Sequence, residues 1–116
     1  VLEHVPDYTR ALDEFQRTLK PGGSLVLSVP FVESAAQTLT RARVHAGGRL
    51  EHLTEPEYHT GSTLDSRHLC YYHFGWDLLD TLRAKGFVDA AFVTCWSAER
   101  ALFAGINAII ARKSHA

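Results

Sequence analysis

Methionine is absent from all 116 residues, and cysteine occurs only twice, at Cys70 and Cys95. The two cysteines form no Cys-x-x-Cys pair and no zinc-knuckle spacing. The expectation is two free, buried thiols in a reducing, cytoplasmic compartment, in preference to a disulfide. No apolar run approaches the roughly 20 residues that cross a bilayer, so no membrane partner is expected. No basic segment followed by an apolar one marks a secretory leader. Neither sign of charge is in excess: 12 Lys and Arg stand against 13 Asp and Glu, for a net charge of -1. That leaves no basic surplus to release counterions from a nucleic acid. Ser24, Ser28 and Ser66 have no His and Asp constellation around them, so a serine hydrolase is unsupported. The chain opens Val1-Leu2-Glu3-His4. With no methionine in it, the expectation is that the natural start lies upstream.

What is present is a globular composition, with 46% apolar and 22% charged residues, sized for one domain. Asp7 is a plausible N-cap for a helix in which Tyr8, Leu12, Phe15 and Leu19 share one face. Lys20-Pro21-Gly22-Gly23 ends it. Ser24 to Pro30 is nearly continuous in apolar residues, which predicts a strand covered on both faces, as in a parallel sheet. Ser34 to Ala46 reads as a helix with Ser34 as cap and Gly47-Gly48 as stop. Arg49 to Leu53 reads as a short extended piece, and Glu55 to His68 as a long loop. A second helix is predicted over Trp76 to Lys85, with Leu78, Leu79 and Leu82 buried and Gly86 as stop. Phe87 to Ser97 and Ile106 to Arg112 have strand character, and the connection Ala98 to Gly105 is short enough for a hairpin.

Three stretches together are more specific than this order of elements. Val1-Leu2-Glu3-His4-Val5-Pro6-Asp7, Leu19-Lys20-Pro21-Gly22-Gly23 and Leu25-Val26-Leu27-Ser28-Val29-Pro30-Phe31 resemble class I S-adenosylmethionine (SAM)-dependent methyltransferases, of the type 11-like kind. Phe74-Gly75-Trp76-Asp77-Leu78-Leu79 and Lys85-Gly86-Phe87 look like that family's last helix and its exit. The resemblance is strong over 1–31 and 74–87 and weak over 32–73. It implies an α/β, partial Rossmann-like methyltransferase fold of about three strands with flanking helices. The last two strands would be an antiparallel hairpin, the final one lying between the other two. Nothing in the chain matches the GxGxG loop with which the family cradles its cofactor. The resemblance therefore implies that residues 1–116 are the C-terminal portion of a single methyltransferase domain, without its N-terminal SAM-binding half. It implies methyl transfer from SAM to a small-molecule acceptor by the intact protein, and an inactive isolated chain. The competing reading is a non-catalytic α/β binding or structural half-domain. In either case strand 24–30 would have an open edge, so a homo-oligomer through that edge is expected.

Candidate site residues follow from the same resemblance. Leu2, Glu3 and His4 match the family's post-strand-four loop and would line the cofactor pocket; the plain alternative is the start of a helix. His4, with an ordinary pKa of ~6.5, would suit a general base. Tyr58, His59 and Tyr72 would bind substrate, as part of an aromatic and imidazole cluster with Tyr71, His73 and Trp76. For Tyr72, Phe74 and Trp76 the alternative is packing of the last helix onto the sheet. Seven histidines are many for this length. Some relatives hold a divalent cation with Glu and His near this motif, so Glu3 and His4 could be joined by His59, but family patterns of that kind use a further Glu before Val1, which this sequence does not contain. No His-Glu-x-x-His or equivalent spacing is present, and the expectation is scattered surface histidines and no metal.

Overall fold

The computed structural model describes residues 1–61 and 66–115. A single 3-10 turn over Leu2–His4 leads into helix α1, Tyr8–Thr18. Asp7 caps α1, its carboxylate accepting from the Arg10 N–H at 3.1 Å. Leu12 is fully buried, and Tyr8, Ala11, Phe15 and Leu19 pack beside it. At the far end of α1 the Lys113 ammonium donates to the carbonyls of Gln16 and Leu19, at 2.6 and 2.9 Å. A cation there satisfies backbone acceptors that a helix terminus leaves open.

Strand β1 runs over Ser24–Leu27. Four short strands follow: β2 (Leu39–Thr40), β3 (Ala42–Val44), β4 (Leu50–His52) and β5 (Tyr58–Thr60). Then come β6 (Arg67–Leu69) and β7 (Tyr72–His73), helix α2 (Asp77–Ala84), and the long strands β8 (Phe87–Ser97) and β9 (Leu102–Lys113). The main sheet has the order β1-β9-β8, with β9 antiparallel to both neighbours. The last strand therefore lies between the other two, as the resemblance implied. Helix α2 lies against β8, and Leu78, Leu82, Phe74, Phe87 and Ile109 form the centre of the core with Leu12.

Several expectations are corrected. Residues 34–46 are not a helix. Thr38, Thr40 and Val44, β-branched and poor helix formers, lie in or beside the paired strands β2 and β3. Gly47 and Gly48 do not stop a helix; with φ of 86° and 85° they reverse the chain between β3 and β4, the left-handed conformation that glycine adopts at little cost. The loop expected over 55–68 contains β5, which pairs with β6; its residues 62–65 lie outside the described residues. The last hairpin closes earlier than expected, across 98–101, and Gly105 (φ 77°) sits where the β8/β9 register slips. Strand β1 is not covered on both faces: Val26 is 64% exposed. All ladders among the described residues are antiparallel, so the architecture is mixed α/β without a parallel pair beyond the single Phe31 to Phe74 bridge.

Cys70 is buried and Cys95 exposed, and both are free. No helix among the described residues is long and apolar enough to cross a membrane.

Candidate functional site

The segment from Leu2 to Pro6 is strapped onto the segment from Leu69 to Tyr72. The Tyr71 N–H donates to the Glu3 carbonyl at 2.7 Å. The Tyr72 hydroxyl donates to the Pro6 carbonyl. His4 Nδ1 lies 2.8 Å from the Leu69 carbonyl oxygen. A carbonyl only accepts, so Nδ1 carries the proton. In the neutral ring Nε2 then bears a lone pair, and it lies 3.4 Å from Glu3 Oε1.

Strand β5 brings His59 to the same place. Its Nε2 is 2.9 Å from Glu57 Oε1 and its Nδ1 is 3.8 Å from Glu3 Oε1. The His4 and His59 rings meet edge to face, with centroids 4.9 Å apart. Glu3, His4 and His59 thus place three possible metal-ligand atoms within 4.8 Å of one another. The Glu3 side chain is only 10% exposed, and its second oxygen accepts from the Val1 amino group at 2.9 Å. His4 and His59 are therefore not scattered surface histidines, which corrects the expectation for those two.

Behind His59 stands Glu57. It accepts from His59 and from His73 Nε2, the latter 3.0 Å from Oε2, and Arg41 lies 3.4 Å from the same oxygen. Hydrogen bonds from His59 first, then His73, hold its carboxyl below the usual carboxylate range. Glu57, Cys70 and His73 form a second close group. Burial pushes the Cys70 thiol up, and its Sγ donates to the Tyr72 carbonyl at 3.3 Å.

The remaining expected residues take other places. Leu2 is 2% exposed and belongs to the core. Tyr72 also packs in the core, its ring 4.8 Å from that of Tyr8 and its hydroxyl engaged by Pro6. Tyr58 is exposed, pointing away from the cluster as strand alternation requires of a neighbour of His59. Trp76 is 41% exposed, edge to face with Phe31 and donating its indole N–H to the Glu33 carbonyl at 2.8 Å. Glu57 received no role from the sequence. Its spacing of two from His59 in an extended segment is the signal that puts both on one side.

The donor set offers one carboxylate and two imidazoles, suited to Mn²⁺, Fe²⁺, Co²⁺ or Zn²⁺. The sequence profile of a family described as a methyltransferase domain matches residues 1–89. Neither the curated proteins nor the solved structures contain a significant match.

Proposed function

This chain belongs to a methyltransferase-domain family, and on that premise we propose that it serves methyl transfer from SAM to a small-molecule acceptor, with a divalent cation at Glu3, His4 and His59. The observation that carries the cation is the convergence of the His4 Nε2 and His59 Nδ1 lone pairs on a carboxylate oxygen. Three acceptor atoms brought this close are joined favourably by a positive charge, either a divalent cation or a proton on one of the two rings. When bound, such a cation would supply Lewis acidity toward an oxygen or nitrogen of the acceptor.

The chain's own residues hold that arrangement. The Leu69 carbonyl orients His4, and the strap through Tyr71 and Tyr72 holds Glu3 against the hairpin of β5 and β6. Without a cation the same Nε2 of His4 is the atom that would take a proton from the acceptor, as a general base. His59 stands on the substrate side in this reading, and Tyr58, on the opposite face of β5, does not.

The described residues do not fit SAM by themselves. They contain no strand, glycine-rich loop and helix in sequence, and the expected lining residue Leu2 belongs to the core. The isolated chain is therefore expected to bind no SAM and to transfer no methyl group. The second reading, a self-associating half-domain, is favoured by one observation: β1 has a partner on one side only among the described residues, and Val26 is exposed on it.

Titration of the purified chain with Mn²⁺, Co²⁺ and Zn²⁺, followed by calorimetry and metal analysis, tests the cation. One ion per chain is expected, with binding lost in Glu3→Gln, His4→Ala and His59→Ala. A wild-type chain that retains no divalent ion would end the cation reading. Tight SAM binding by the same chain would overturn the expected inactivity.

A further inference from the structure

We propose that Glu57 is a positioning residue that fixes the tautomer of His59, so that the Nδ1 lone pair of that ring is presented to Glu3 and His4. The inference rests on the cation site proposed above, but its central observation does not need the ion. His59 Nε2 is 2.9 Å from Glu57 Oε1. An ionised carboxylate can only accept, so the ring proton sits on Nε2. Nδ1 is then bare, and it is the atom that lies 3.8 Å from Glu3 Oε1. A ring protonated on Nδ1 would put an N–H where the site needs a donor lone pair. A carboxylate behind a ligating imidazole also raises the basicity of the ligating nitrogen.

Glu57 is itself held. His73 Nε2 reaches it at 3.0 Å, Arg41 at 3.4 Å, and Arg41 also donates to the Glu55 carbonyl at 2.8 Å. His59, His73 and Arg41 surround the carboxyl with donors. Its oxygens are thus already used as acceptors. The neighbouring Cys70 is fully buried and gives its S–H to the Tyr72 carbonyl. Glu57, Cys70 and His73 accordingly support the first group and do not make a second ion site. His45 and Glu51 form a similar pair, at 2.6 Å, in the β3/β4 hairpin. That pair serves as an internal reference.

The test is a long-range proton–nitrogen spectrum of the imidazoles of the ¹⁵N-labelled chain, taken without metal and above the imidazole titration range. Wild type is expected to show His59 as the Nε2–H tautomer. Glu57→Ala should shift His59 toward a mixed or Nδ1–H population while the His45 signals stay in place. Glu57→Gln, whose amide can either accept or donate, should give a mixture, and Glu57→Asp should restore part of the Nε2–H form. Zn²⁺ affinity in Glu57→Ala should fall about 10–100-fold, the usual effect of removing such a partner. A His59 that remains fully Nε2–H in both Glu57→Ala and Glu57→Gln overturns the proposal. A tautomer shift in a chain that binds no Zn²⁺ supports the role of Glu57 and ends the cation reading separately.

Discussion

The imidazole of His4 is oriented by the carbonyl of Leu69, 65 positions further along the chain, through a 2.8 Å bond from Nδ1. This one contact decides which nitrogen of His4 faces Glu3. It depends on the strap that lays residues 2–6 across β6 and β7, so the geometry of the site is coupled to packing outside it.

Tyr72→Phe tests that coupling. The ring keeps its place against Tyr8 and Phe74, while the bond to the Pro6 carbonyl is lost. Loss of about 1 kcal/mol in urea unfolding is expected, the usual worth of one such bond. Cation affinity should weaken as well, because the strap carries Glu3 and His4. Unchanged unfolding and unchanged binding together would show that the strap holds without this hydroxyl.

Gly75 is required by close approach, with no unusual φ involved. A Cβ there would lie 2.6 Å from the Ala35 carbonyl oxygen and 2.6 Å from the Gln37 carbonyl carbon, both backbone atoms. Gly75→Ala must displace the 35–38 segment, whose Thr38 is held by Asp77 through bonds of 2.8 and 2.6 Å. A cost of roughly 1–3 kcal/mol is expected, as for overpacked sites. Thermal unfolding of the variant measures it.

The two thiols should separate cleanly under alkylation. Cys95 is exposed and Cys70 is 0% exposed, with its thiol pushed up by burial. Iodoacetamide on the folded chain, followed by peptide mass spectrometry, should label Cys95 first and Cys70 only on unfolding. The raised Cys70 value also predicts the sign with pH. Its contribution is fully present below the ordinary thiol pKa of about 8.5 and is lost as pH rises through the folded value. Cys70→Ser should flatten the alkaline loss of stability.

Glu57 gives the opposite sign. Its carboxyl lies below the ordinary value, held first by His59 and then by His73. The stability it contributes is present above about pH 4.3, the unfolded carboxylate value, and is lost as pH falls through the lower folded value. Glu57→Gln should make the acid limb of a urea-midpoint against pH curve shallower. An identical acid limb in the two proteins would contradict this.

Self-association is testable on β1. Val26 is 64% exposed, and β1 pairs with β9 alone among the described residues. Light scattering across a wide concentration range should show a dimer or larger species. Val26→Lys, a charge of the kind that blunts edge strands, should shift it toward monomer. A wild-type monomer throughout would remove the half-domain reading.

The sequence by itself determined the elements whose signals are local. Asp7, the Tyr8 to Leu19 stripe and Pro21-Gly22-Gly23 define α1; Leu78, Leu79, Leu82 and Gly86 define α2; the β-branched and aromatic residues define β8 and β9. Caps, breakers and periodicity act within a few residues, so they are readable from order alone. Residues 34–69 were not readable in this way. Their strands are only two or three residues long, too short for a periodicity, and their partners are chosen by pairing across turns. The Glu3 and His4 pair was visible as a motif, and His59 as a candidate companion. Only the tertiary structure decided that β5 carries His59 to them, that Glu57 and Leu69 fix which nitrogens face inward, and that Leu2 and Tyr72 serve the core. A tautomer is set by the hydrogen-bond partner at the far side of the ring, and that partner is a matter of folding, not of sequence neighbourhood.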